Sequence, residues 1–199
     1  MENNISLIMA LVDFLPVIFF FISAVILQRD LYDVMSKGRF ALLASGSILV
    51  LLGGIYKAAW KILIALGVCD FPALNNAFFP MQAPGFILVF LSLLGLKWRS
   101  SGIFAVVPVI SSNLIFIICQ TVGLAGTQFI LMIKSLKMHK KGAAVMFVLS
   151  FVTMLGMGYL GAKFDDTSRM HWMAQLCNIV SQGTFLAGVL SIHSLLKKM

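Results

Sequence analysis

The chain has 199 residues, 60% of them hydrophobic and 11% charged, at a mean hydropathy of +1.01. That much apolar surface cannot fold into one soluble core and still leave a wettable exterior, so the composition excludes an ordinary soluble domain and indicates an all-α integral membrane protein. The net charge of +8 raises nucleic acid as a partner, but basic residues in so apolar a chain serve to orient spans, and nucleic-acid binding is set aside.

The first apolar segment, about residues 6–27, is preceded by Glu2 and by no basic residue. A secretory signal begins with a positive segment, so this one is expected to remain as helix 1. Asp13 lies about seven residues into it, hence roughly 10 Å deep at about 1.5 Å per residue.

Residues 40–68 read FALLASGSILVLLGGIYKAAWKILIALGV, 29 residues whose only charges are Lys57 and Lys61. About 20 residues cross roughly 30 Å of hydrocarbon, so this helix 2 spans with length to spare and places Lys57 inside. An ionisable group at that depth is a functional candidate by default. Lys57 and Lys61 share one face, one turn apart, with Trp60 beside them. The plain alternative is that both stems snorkel to the headgroups. Because Asp13 and the two lysines lie at similar depths, an ion pair across the helix 1 and helix 2 contact is expected. The glycines Gly53-Gly54, and Gly156 and Gly158 further on, are expected to permit close helix approach.

The third apolar segment, about 83–96, carries Gln82 at its start, and the fourth, 101–136, is too long for one crossing. As a single helix it would place Lys134, Lys137, Lys140 and Lys141 opposite Arg29, Lys37 and Arg39, against the positive-inside bias. A turn at Ser111-Ser112-Asn113, shortly after Pro108, repairs this and leaves a short helix 4 and a full helix 5 over about 114–137. A turn near Gln120 to Gly123 is the alternative. The run 134–141 is read as a topogenic cluster facing anionic lipid.

Helix 6 covers about 143–163 and helix 7 about 176–196, joined by the connector GAKFDDTSRMHW at 161–172. That connector gathers Lys163, Asp165, Asp166, Arg169 and His171 as a solvated loop. It holds no second histidine or cysteine at ligand spacing, so no metal site is expected. Gln175, Asn178 and Gln182 follow at i, i+3, i+7, one stripe of amides that either ties helices together or lines a cavity. His193 is solitary in sequence and is read as a packing residue. Cys69, Cys119 and Cys177 show no CxxC pairing and are read as small apolar residues, with a Cys69–Cys177 disulfide geometrically conceivable.

These segments assemble into seven transmembrane helices with the N-terminus outside and the C-terminus cytoplasmic. Arg29, Lys37, Arg39, Lys97, Arg99, Lys134, Lys137, Lys140, Lys141, Lys197 and Lys198 then lie inside, 11 of the 15 basic residues. Trp98 and Trp172 fall near opposite interfaces. In a bacterial cell such a multi-pass protein resides in the plasma membrane.

An internal repeat underlies the plan. LGGIYKAAWK at 52–61 aligns with LGMGYLGAKF at 155–164, matching Gly53 with Gly156 and Tyr56 with Tyr159. Lys37-Gly38 matches Lys141-Gly142, and Gln82 with Leu91-Ser92 matches Gln182 with Leu190-Ser191. The single transmembrane domain therefore divides into repeat 1 over about 6–97, a linker helix over about 101–112 and repeat 2 over about 114–197, two parallel three-helix repeats around an inverting linker.

This three-plus-one-plus-three plan resembles the architecture of the SWEET and PQ-loop transporters, whose parallel repeats enclose a central solute path. Their proline-glutamine signature is absent as a pair: helix 1 has Pro16-Val17, and the aligned position of helix 5 has Gln120-Thr121. No binding residue is carried over from that likeness, which concerns the helix plan alone.

The expected function is a small-solute transporter or solute-binding membrane protein with a polar site in the outer half of the bundle. Asp13, Lys57, Trp60, Lys61, Gln82, Gln175, Asn178 and Gln182 are its candidate residues, and the lipid bilayer and a small solute its partners. No cofactor is implied. The alternatives are a small intramembrane enzyme acting on a lipid or isoprenoid substrate, and a membrane sensor or assembly factor. The enzyme lacks an HxxxH pair, a close acidic motif within a helix, and a serine beside a histidine and an acid. Retinal binding lacks its lysine in helix 7.

Overall fold

The computed structural model describes residues 6–94, 113–162 and 168–196, and all the regular structure among them is helical. In chain order the helices are α1 (Leu7–Val12), α2 (Phe14–Leu31), α3 (Lys37–Ala65), α4 (Pro72–Asn76), α5 (Phe78–Leu94), α6 (Asn113–Lys137), α7 (Lys141–Ala162) and α8 (Ser168–Leu196). Five segments are long and apolar enough to cross a membrane: Leu7–Leu31, Lys37–Ala65, Pro72–Leu94, Ile115–Lys137 and Met170–Leu196. The protein is a helical bundle suited to a bilayer. Its outer face agrees, because Phe21, Ile48, Ile118, Val145, Val152 and Leu190 are all exposed.

Local chemistry explains the breaks. Ser6 caps α1, its hydroxyl accepting from the Met9 N–H at 3.2 Å. Pro16 has no N–H to offer the Val12 carbonyl and its ring crowds that oxygen, which interrupts the helix at Asp13 between α1 and α2. At the end of α3, Gly67 takes the left-handed conformation (φ 67°) while its N–H reaches Ile64 O at 2.9 Å and the Val68 N–H reaches Leu63 O at 3.1 Å. This paired closure satisfies the last carbonyls and turns the chain out of the helix. His139 closes α6 in the same way at φ 57°, with the Lys140 N–H bonded to Ser135 O.

Cross-helix contacts fix the directions. α3 and α5 are antiparallel and touch backbone to backbone: a Cβ on Gly46 would lie 2.7 Å from Gly85 O. α2 and α3 are antiparallel, with Val17 against Gly54 near one end and Tyr32 against Phe40 near the other. α6 and α7 are antiparallel around the His139 turn, and α7 and α8 are antiparallel, with Phe147 on Gly188 and Ser150 beside Ser181. By contrast α5 and α6 run the same way, Gln82 meeting Gln120, Phe86 meeting Gly123 and Phe90 meeting Gly126. α2 and α8 also run the same way, with Phe19 by Gly183 and Phe20 on Phe185. The principal contacts close a ring in the order α2, α3, α5, α6, α7, α8 and back to α2.

It follows that α2, α5, α6 and α8 run from the end that holds Asp13 to the end that holds Asp30, and α3 and α7 return. Leu94 and Asn113 stand at opposite ends of the bundle. The linker helix expected at about 101–112 lies outside the described residues. So do Lys97, Trp98, Arg99, Lys163, Asp165 and Asp166. Among the described residues, Arg29, Lys37, Arg39, Lys134, Lys137, Lys140 and Lys141 all lie at the Asp30 end.

Four expectations change. α8 begins at Ser168 rather than near 176, taking His171 and Trp172 out of the connector and into the helix; its polar opening residues lowered the hydropathy while remaining adequate helix formers. α5 begins at Phe78 rather than near 83, so Gln82 lies within the helix. Continuous helix through Gln120 to Gly123 removes the alternative turn there. Gly156 also departs from its expected packing role, since a Cβ there would meet nothing within 4 Å, whereas one on Gly53 would lie 2.7 Å from Gln82 Cγ.

Candidate functional site

Near the Asp13 end, α3 sends three polar side chains in three directions. Lys61 forms an ion pair with Asp13 across the α3 contact with the α1–α2 break, and each side chain is only 10% exposed. The carboxylate reaches α3 because Asp13 sits where Pro16 interrupts the helix. Lys57, one turn earlier, goes instead to α5, its ammonium 4.2 Å above the centre of the Phe78 ring, where the negative face of the π-system attracts it. Trp60 turns away from both and donates its indole N–H to Asp70 in the following loop at 2.9 Å. Of these candidates, only Asp13 and Lys61 are joined directly. Asp13 thus pairs with one of the two lysines, and the ammonium of the other rests on an aromatic face.

Gln82 stands deeper, where α3, α5 and α6 meet. Its side-chain N–H donates to Val50 O at 3.4 Å, and its carbonyl accepts from Gln120 Nε2 at 3.1 Å. The Gln120 oxygen is buried with no hydrogen-bond partner. On α8 the amide stripe diverges: Gln175 is buried with Nε2 unpartnered, Asn178 is half-buried, and Gln182 reaches the middle of the bundle.

That middle holds a cavity of about 20 Å³, room for about one water. Gln182, Gln128, Thr127 and Ser47 supply its polar lining, and Phe20, Phe86 and Phe185 supply rings that touch one another. Gln128 is held by its neighbours: Nε2 donates to Ser150 Oγ at 2.9 Å, and the Ser181 hydroxyl in turn donates to Ser150 O at 2.9 Å. Its Oε1 is buried and has no partner. None of the cavity's lining side chains is titratable, so its chemistry is hydrogen bonding to a small uncharged group beside phenyl surface.

Sequence reasoning missed Gln128, Thr127, Ser47 and the Ser150–Ser181 pair. The available signal was the spacing of Gln120, Thr127 and Gln128 at i, i+7, i+8 within an apolar run, a one-face polar stripe like the i, i+3, i+7 stripe of α8. It also missed Asp30, and His193 is not solitary, since its Nδ1 lies 3.7 Å from Asp30 Oδ2. The three cysteines are free thiols, and among the described residues no group of histidine, cysteine and acidic side chains could hold a metal.

Comparison with protein-family models, with characterised proteins and with solved structures returns no match.

Proposed function

We propose that the chain is a small-solute transporter built from two three-helix units, α2–α3–α5 and α6–α7–α8, with an inverting crossing between them, the N-terminus outside and the C-terminus in the cytoplasm. Several observations support this. The two units share one direction pattern, and the contact of α2 with α8 has its counterpart in that of α6 with α5. Leu94 and Asn113 at opposite ends require the chain to return between them. The basic residues of α2, α3, α6 and α7 gather at one end, as the positive-inside bias demands of a cytoplasmic face. Parallel repeats with a site at their interface are a recurring transporter plan.

The observation that carries the proposal is the central cavity, because both units furnish its polar lining: Ser47 from one, Thr127, Gln128 and Gln182 from the other. Its neutral amides and hydroxyls favour an uncharged, hydrogen-bonding solute, and its small volume corresponds to a closed state that must widen to admit one. An intramembrane enzyme would need an acid and a base at this point, and the lining supplies neither.

A thermal-shift screen tests the proposal with purified wild type and Gln182→Leu against small polyols, amides, amino acids and carboxylates. A solute at about 100 times its Kd stabilises by about 2.7 kcal/mol, or roughly 5–10 °C for a chain of this size. The expected result is a shift of that order with an uncharged polar solute, lost in Gln182→Leu. Carboxylate shifts lost in Lys61→Met would move the site to the outer pair, and no response to any compound would refute the proposal.

A further inference from the structure

The seam between α2 and α8 carries a charged cluster at the Asp30 end that the central cavity does not use. Asp30 lies one residue from the end of α2, yet its side chain is 0% exposed. Arg29 Nε donates to its Oδ1 at 3.1 Å, while Oδ2 accepts no hydrogen bond and lies 3.7 Å from His193 Nδ1 on α8. The same imidazole nitrogen is 3.5 Å from a terminal nitrogen of Arg29. Nδ1 thus stands between one donor and one acceptor. Without a proton it can only accept, and Arg29 offers the hydrogen; with a proton it can only donate, and Asp30 Oδ2 takes it.

Access differs across the cluster. The His193 side chain is 42% exposed and that of Arg29 55%, and Arg29 lines an open groove with Gln28, Tyr32 and Asp33. Water can therefore deliver a proton to the imidazole while the carboxylate stays sealed.

We infer that Asp30 and His193 form a proton-binding site across the α2 and α8 seam, and that the bound proton holds the Asp30 end of the two three-helix units together. This rests on the two-unit reading above. With the proton on Nδ1, imidazolium and carboxylate attract across the seam in a poorly solvated place. With one proton returned to water the charge attraction is lost, and in the tautomer that keeps its proton on Nε2 the bare Nδ1 accepts from the Arg29 guanidinium instead. The other charged or titratable groups at this end, among the described residues, are Asp33 in the turn after α2, Lys37 and Arg39 at the start of α3, Lys134 and Lys137 in the last turn of α6, His139 and Lys140 in the turn after it, and the exposed Lys141 at the start of α7. The matching seam between α5 and α6 is joined by the Gln82–Gln120 amide pair and by glycine contacts, so it serves as an internal control.

The test uses the full chain in nanodiscs of zwitterionic lipid. Histidine-labelled protein is titrated by NMR, with the His193 signals assigned by their loss in His193→Gln. The His193 titration is expected to differ between wild type and Asp30→Asn, and identical titrations overturn the site. A second measurement survives a failure of Asp30→Asn to fold: hydrogen exchange of wild type and His193→Gln, compared at the same pH. Exchange over 25–31 and 188–195 is expected to be several-fold slower in wild type at about pH 5.5, equal at about pH 8, and unaffected over 86–94. Identical exchange of the two proteins at both pH values overturns the latch. Neither readout needs a solute, so failure here leaves the transport proposal standing, and a silent thermal-shift screen would not affect these results.

Discussion

Separating Lys61 from Asp13 should cost more than removing both. Each side chain is only 10% exposed, so Asp13→Asn leaves an ammonium in poorly solvated surroundings without its counter-charge. Orphaning one member of a buried pair costs about 3–5 kcal/mol. Lys61 lies four residues before the end of α3, about 6 Å along the axis, and its flexible stem can carry the amine part of the way to the headgroups. The low end, about 3 kcal/mol, is therefore expected, which at this chain length is a fall in Tm of roughly 6–12 °C. Lys61→Met strands the carboxylate instead, and uptake of a proton caps that loss at a similar or smaller value. The double variant Asp13→Asn/Lys61→Met buries two uncharged groups of similar volume and should recover most of the loss, giving a coupling energy of at least about 3 kcal/mol. Melting in detergent with a thiol-reactive fluorophore supplies the assay, since Cys119 and Cys177 are partly buried and become reactive on unfolding. Strict additivity of the two single losses would refute the reasoning, because it would mean that the pair contributes nothing.

The remaining expectations concern packing, a buried network and orientation. Gly123→Ala places a methyl 2.6 Å from the Phe86 backbone carbon and should force α5 from α6, costing at least about 2 kcal/mol. Gly156→Ala meets nothing within 4 Å and should be neutral or stabilise by up to about 1 kcal/mol, so the two variants should melt on opposite sides of wild type or nearly so. Ser150→Ala removes the acceptor of Gln128 Nε2 and should cost about 1–3 kcal/mol in the same melt. Cys69, exposed in the loop after α3 at the Asp13 end, should react with an impermeant maleimide added to intact cells. Labelling only after the membrane is breached would invert the proposed orientation.

The Asp13–Lys61 ion pair was legible because two coordinates suffice to find it. Helices joined by a short turn lie antiparallel and adjacent, and at about 1.5 Å per residue the depth of Asp13 equals that of the α3 lysines. What could not be read was the division of labour within α3. Lys57 and Lys61 share a face, and only the position of Phe78 decides that one takes an aromatic ring and the other a carboxylate. The start of α6 was readable, since charge bias and turn chemistry agreed on a helix over about 114–137 and the helix begins at Asn113; Ser111 and Ser112 of the expected turn lie outside the described residues.

The central cavity stayed hidden for a physical reason that also separates this bundle from a soluble one. In water a helix marks its inner face with apolar residues, but here lipid and core are equally apolar, so periodicity carries almost no information about which side faces protein. Polar residues become the only directional marks. Gln182 on α8 was marked by its stripe, whereas Gln128 lies in α6 between Thr127 and Phe129 and gains its meaning from Ser150 and Ser181 on two other helices. Asp30 fails as a mark for the opposite reason. Beside Arg29 at a helix end it reads as a solvated charge, and only the docking of α8 along α2 seals it from water. A buried carboxylate next to an exposed guanidinium is thus a tertiary feature, and so is the half-exposed imidazole that α8 brings within 3.7 Å of it.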